Sequence, residues 1–166
     1  RLAKLEEVAS QASAKVDSST EPRASRPLKQ TQSAEPTGTV SGITPTSAFN
    51  LAYNDYLNGK YDLAVAGFQR FIKDFPGTSL TPNAHYRMGE SYYNLKDYGR
   101  AIHTFDSLVA EYPGNEKVPA ALYKLGLATA ETGDLVRSRK NLKRVLEEFP
   151  SSDESKLAKN KLAEIR

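Results

Sequence analysis

Residues 82–105 read PNAHYRMGESYYNLKDYGRAIHTF, and this stretch decides the fold. Tyr86, Gly89 and Tyr93 stand at three- and four-residue steps, and Ala101, Phe105 and Leu108 do so again beyond Lys96-Asp97. That is helical periodicity on both sides of a break. The same landmarks return in both directions at an interval of 37 residues: Pro76, Pro113 and Pro150; Phe75, Tyr112 and Phe149; Tyr61, Tyr98 and Leu135; Ala64, Ala101 and Ser138; Phe68, Phe105 and Leu142. A fixed period of this size signals a stack of helix pairs, each packing on its neighbours.

The break inside the pair falls at Asn58-Gly59, Lys96-Asp97 and Thr132-Gly133. Glycine there suits a left-handed helix stop. The proline after each second helix cannot continue it. Ala52, Gly89 and Gly126 are expected to press the first helix onto the second, with Ala64 and Ala101 on the facing side. Larger side chains there would force the pair apart. Phe68 and Phe105 are expected to fill the layer between units. The final segment carries Leu157, Leu162 and Ile165 among Lys and Glu, and is expected to cap the third unit.

The expected organisation is therefore a domain over 45–166, with repeats at about 45–81, 82–118 and 119–152 and a cap at 153–166. Residues 17–44, rich in Ser, Thr, Pro and Gln, read as a disordered linker, because so few apolar groups cannot offset chain entropy. In residues 1–16, Leu2, Leu5, Ala9, Ala12 and Val16 follow 3, 4, 3, 4 spacing. They read either as the end of an oligomerising coiled coil or as a helix with incidental spacing. The first residue is Arg1, which leads to the expectation of a processed chain or a fragment.

Composition excludes several classes. Charged residues make up 26% and the formal net charge is only +3, too mild for nucleic acid without a basic stripe. There is no cysteine, hence no disulfide, thiolate metal site or thiol nucleophile. No apolar run is long enough to span a bilayer as a helix. His85 and His103 have no second histidine or paired carboxylate at metal-ligand spacing. No phosphate loop, nucleophile elbow or dinucleotide fingerprint occurs. The reading is of a non-enzyme without metal or cofactor. The basic run Arg137, Arg139, Lys140, Lys143 and Arg144 reads as a solvated helix face in preference to an anion patch, since no aromatic residues interleave.

The order Met88-Gly89, Tyr92, Ala101, Phe105, Pro113 resembles the tetratricopeptide repeat. The first unit departs with Asp55 in the place of Tyr92, the third with Thr129 and Ser138. The resemblance implies an all-α, right-handed superhelix of three helix pairs whose first helices line a concave groove. Tyr53, Asn54, Arg87, Glu90, Asn94, Lys124, Leu127 and Glu131 become the candidates for gripping a partner, while Phe49, Tyr56 and Tyr93 are expected in the core. Tyrosine, with an apolar body and a polar tip, suits a peptide groove. The positions where some members hold a carboxylate clamp are here Phe49, Tyr53, Arg87, Ala120 and Lys124, so most of the clamp is missing. A groove for a helix or an extended apolar segment fits better.

More specifically, AYNDYLNGKYDLA (52–64) and the opening stretch resemble the Tol-Pal system protein YbgF family, also called the cell division coordinator CpoB family. That resemblance implies a periplasmic protein delivered by a signal peptide. It would be a homotrimer through an upstream coiled coil and would bind TolA. It would also help coordinate peptidoglycan synthesis by a penicillin-binding protein with outer-membrane constriction. Two alternatives stay open: an outer-membrane assembly component similar to BamD, and a generic tetratricopeptide scaffold.

Overall fold

The 37-residue period becomes helices in a repeating pattern. A computed structural model describes residues 42–166, and the residues read as coiled coil and nearly all of the linker lie outside that range. Seven helices follow: α1 (Pro45–Leu57), α2 (Tyr61–Asp74), α3 (Thr81–Asn94), α4 (Tyr98–Glu111), α5 (Val118–Glu131), α6 (Leu135–Glu148) and α7 (Asp153–Glu164). The described residues contain no strand.

Local chemistry sets the ends. α1, α3 and α5 each carry Pro in the first turn, where the missing N–H costs nothing. Thr44, the last residue of the expected linker, caps α1 by a reciprocal pair of hydrogen bonds with Ser47. Asp97 and Asp134 cap α4 and α6 through their side chains. Each first helix ends in one recurring motif. Gly59, Lys96 and Gly133 have positive φ and donate to Tyr56, Tyr93 and Ala130, while the next residue donates to Asp55, Tyr92 and Thr129. This pair of bonds closes the orphan carbonyls of the helix end.

The helices pack as three hairpins, α1–α2, α3–α4 and α5–α6, with α7 on α5 and α6. First helices also touch across repeats, α1 with α3, α3 with α5 and α5 with α7, whereas α2, α4 and α6 do not touch one another. The stack therefore closes in on the first-helix side and is superhelical.

Inside a hairpin the small residues press the first helix onto the second, as expected. A β-carbon on Gly89 would meet Phe105 Cε1 at 2.6 Å, and one on Gly126 would meet Leu142 Cδ2 at 2.5 Å. In the first hairpin a β-carbon on Gly67 would meet the Ala52 β-carbon at 2.8 Å, and Ala64 is buried in the same cluster. Phe68 packs on Phe49 at 5.4 Å and shares a core cluster with Ala84 of the next repeat, and Phe105 packs on Tyr86 at 5.8 Å and shares one with Val118 and Ala121 of the next. The departures in the third repeat are self-satisfied. Buried Ser138 donates to Gly126 O at 2.7 Å, and buried Thr129 to Leu125 O at 2.6 Å.

α7 continues the register as the first helix of a fourth unit. Ala84, Ala121 and Ala158 share one position and all three are fully buried. Leu162 and Ile165 pack against the core, but Leu157 is 46% exposed, contrary to its expected capping role. Ala158 and Ser155 make the close seat instead. At the other end α1 has no described helix in front of it. There a hollow of about 230 Å³ opens between Ile43, Leu51, Asp55, Arg70, Phe71 and Phe75. Asp55 lines it, since no described helix packs where Tyr92 and Thr129 are buried in later repeats.

Candidate partner-binding groove

On the side where first helices touch, one cluster joins three repeats. α3 carries Arg87 and Glu90 one turn apart. Glu90 is only 7% exposed. Its Oε2 accepts from Arg87 Nη1 at 2.8 Å and from the Tyr56 hydroxyl of α1 at 3.2 Å. Its Oε1 lies 3.3 Å from Lys124 Nζ on α5. A carboxylate taken this far out of water needs such partners, since desolvation of an unpaired charge is expensive.

The arginine is in turn wrapped by rings. Its guanidinium carbon lies 5.1 Å from the Tyr53 ring centre, 5.3 Å from Tyr56 and 5.5 Å from Tyr86. Tyr53 and Tyr56 stack at 5.8 Å with planes only 9° apart, and Phe49 stacks behind Tyr53. Lys124 sits 5.5 Å above Tyr93, and Lys117 sits 5.2 Å above Tyr86. These are cation–π distances. Burial disfavours the charge on Arg87, but Glu90, Tyr53 and Tyr56 outweigh it and raise its pKa. Burial, then Glu90, raises the Tyr56 hydroxyl. Burial, then Glu131, raises that of Tyr93. Tyr56 and Tyr93 therefore stay neutral while Arg87 stays charged.

The sequence candidates fall into three groups. Tyr53, Arg87, Glu90 and Lys124 are brought together as described. Leu127 is half-buried, and Asn94 and Glu131 are exposed one turn further along α3 and α5. Asn54 is apart from them. Its register equivalents Ser91 and Ala128 are buried, and Asn54 is exposed at the open end, where no described repeat precedes it.

Two expected core residues belong to the cluster as well. Tyr56 and Tyr93 pack against the core but are only half-buried, and the Tyr56 hydroxyl donates to Glu90. Phe49 is buried as expected. Tyr86 and Lys117 were missed as members; the signal for Tyr86 was its one-residue offset from Arg87, and for Lys117 there was none.

Away from the groove the basic run is largely spent internally. Arg137 pairs with Asp106, Arg139 donates to Ile165 O at 2.9 Å, and Arg144 grips Glu148 at 2.6 Å. His103 is exposed, and His85 is half-buried against the Tyr112 ring at 5.7 Å. No group of three or more metal-ligating side chains occurs among the described residues, and no described helix is long and apolar enough to cross a membrane.

A model described as tetratricopeptide repeat matches residues 49–116 and again 86–153, together more than half of the chain. The chain belongs to the tetratricopeptide-repeat family. No curated protein sequence matches it significantly. Solved structures share the tetratricopeptide fold at low identity. The first tetratricopeptide domain of Spaghetti (RPAP3), bound to the HSP90 peptide SRMEEVD, is 24% identical. It covers 73% of this chain and 89% of its own, with a TM-score of 0.61. The Yersinia enterocolitica type III secretion chaperone SycD, in complex with a peptide of the translocator YopD, is 18% identical. It covers 72% and 87%, with a TM-score of 0.61. PcrH, in complex with the chaperone binding region of PopB, is 14% identical, covers 76% and 100%, and has a TM-score of 0.63. Tetratricopeptide architecture and protein interaction go together in these neighbours.

Proposed function

We propose that this chain is a non-enzymatic protein-interaction module that holds a segment of a partner protein along α1, α3 and α5. The observation that carries this is the convergence of Tyr53, Tyr56, Arg87 and Lys124 from three successive first helices on one face. Such a face offers aromatic area at low entropic cost together with fixed polar groups, which is what partner recognition uses. The fold neighbours solved with bound peptides support the same use of the architecture.

In this reading the setting is the periplasmic Tol-Pal system at cell division. TolA is the partner in the groove, and a penicillin-binding protein is a second client. The support is the resemblance carried by AYNDYLNGKYDLA and by residues 82–105. The test is a calorimetric titration of the full chain with the periplasmic part of TolA, repeated with Leu127→Asp. Leu127 is half-buried beside the cluster and outside its ion pairs. Micromolar or tighter binding that Leu127→Asp weakens about tenfold, at unchanged helicity, is the expected result. Absence of binding removes the Tol-Pal setting. Binding that Leu127→Asp leaves untouched removes the groove.

A further inference from the structure

The Glu90 carboxylate occupies a cradle of a kind that a ligand's carboxylate would use. Arg87 comes from α3, Lys124 from α5 and the Tyr56 hydroxyl from α1, and all three address the same two oxygens. The anion in this cradle is the chain's own. Its register equivalents are Tyr53 and Leu127, so neither neighbouring repeat supplies another carboxylate at this position.

We propose that Glu90 is the specificity determinant of the groove: by occupying Arg87 and Lys124 it turns away acidic tails and leaves the groove to uncharged, apolar segments. This rests on the reading of the first-helix face as the protein-binding surface. An incoming carboxylate would find both cations already paired, or would have to expel Glu90 and leave it without its partners. An incoming cation would meet a carboxylate already shielded by two cations. The first helices also carry apolar groups that no ion pair uses: Leu57 on α1 is 61% exposed, Leu157 on α7 is 46% exposed, and Leu127 on α5 is half-buried, beside exposed Asn94 and Glu131. The tyrosine ring faces are taken by Arg87 and Lys124.

The experiment is fluorescence anisotropy on the full chain with two labelled peptides of equal length. One is the acidic heptapeptide SRMEEVD with a free C-terminus. The other has its three acids exchanged for leucine and its C-terminus amidated. Wild type should prefer the apolar peptide, and that preference is read without any variant. Glu90→Gln keeps the size of the side chain and an acceptor for Tyr56 while releasing both cations. It should bind the acidic peptide at least about tenfold more tightly than wild type does, as two freed charge-assisted contacts allow. Adding Arg87→Gln should abolish that gain.

The proposal is overturned if wild type binds the acidic peptide as tightly as Glu90→Gln does. It is overturned too if folded Glu90→Gln gains nothing while both proteins hold the apolar peptide, and in that case the groove reading survives. If neither peptide binds either protein, the groove reading falls and takes the proposal with it.

Discussion

Gly89 of α3 and Phe105 of α4 are in direct contact: a β-carbon on the glycine would lie 2.6 Å from Cε1 of the ring and 2.8 Å from Cζ. Both the ring and its neighbours are fully enclosed, so it has nowhere to retreat. Gly89→Ala gains about 1 kcal/mol of helix propensity and meets overpacking of about 1–3 kcal/mol or more. The expected outcome is a net loss of about 2 kcal/mol in urea denaturation. Gly99, also helical but with open space around it, is the control. Gly99→Ala should be neutral or stabilising by about 0.5 kcal/mol.

Lys96 sits at φ +65°, where the equivalent positions of the other repeats hold Gly59 at +75° and Gly133 at +88°. A side chain in the left-handed region costs about 1–2 kcal/mol, partly balanced by the greater unfolded-state freedom of glycine. Lys96→Gly should therefore stabilise the protein by about 0.5–1 kcal/mol in denaturant titration. Gly133→Ala should destabilise it by a similar amount.

Glu90 holds the first three first helices together through Tyr56, Arg87 and Lys124. Removing it leaves two cations unpaired. Breaking a fully buried pair costs about 3–5 kcal/mol. Because the Arg87 and Lys124 side chains remain 23% and 25% exposed, Glu90→Ala should cost less, about 2 kcal/mol. Chemical denaturation measures the loss, and added salt should narrow the gap between wild type and variant by screening the two released charges.

His85 is packed against Tyr112, and burial lowers its pKa below the ordinary 6.5, with nearby Glu111 opposing the shift. A histidine whose folded pKa is depressed binds more protons when unfolded. Stability therefore falls as pH drops through the unfolded value of about 6.5 toward the folded one. Thermal melts from pH 8.5 to 5 should show a steeper loss on acidification for wild type than for His85→Gln, and the two curves should run parallel above pH 7.5. Equal slopes throughout would rule out the buried imidazole as their source.

The hairpins, the stops and the cap were legible because each depends on chemistry local to the chain. A three- and four-residue apolar rhythm is a helix wherever it folds, and Gly59, Gly133 and the repeated prolines mark its ends. Arg87, Glu90 and Lys124 were legible as one face by register alone. What register did not show was the double role of two aromatic rings that also pack on the core. Tyr56 and Tyr93 share a position that looks like core, yet Tyr56 turns its hydroxyl to Glu90 and Tyr93 lies under Lys124. Leu157 misled, as an apolar residue placed at a groove position of α7 and left exposed.

The sequence by itself determined the period, the all-helical class and the repeat family, because those follow from spacing along one chain. Only the tertiary structure decided which groups consume one another. The distance from Glu90 to Lys124 depends on how α5 leans against α3, and the enclosure of Arg87 depends on how α1 and α3 meet. A partnered charge and a charge open to a ligand have the same letter in sequence, and it is the packing of successive repeats that makes Glu90 the former.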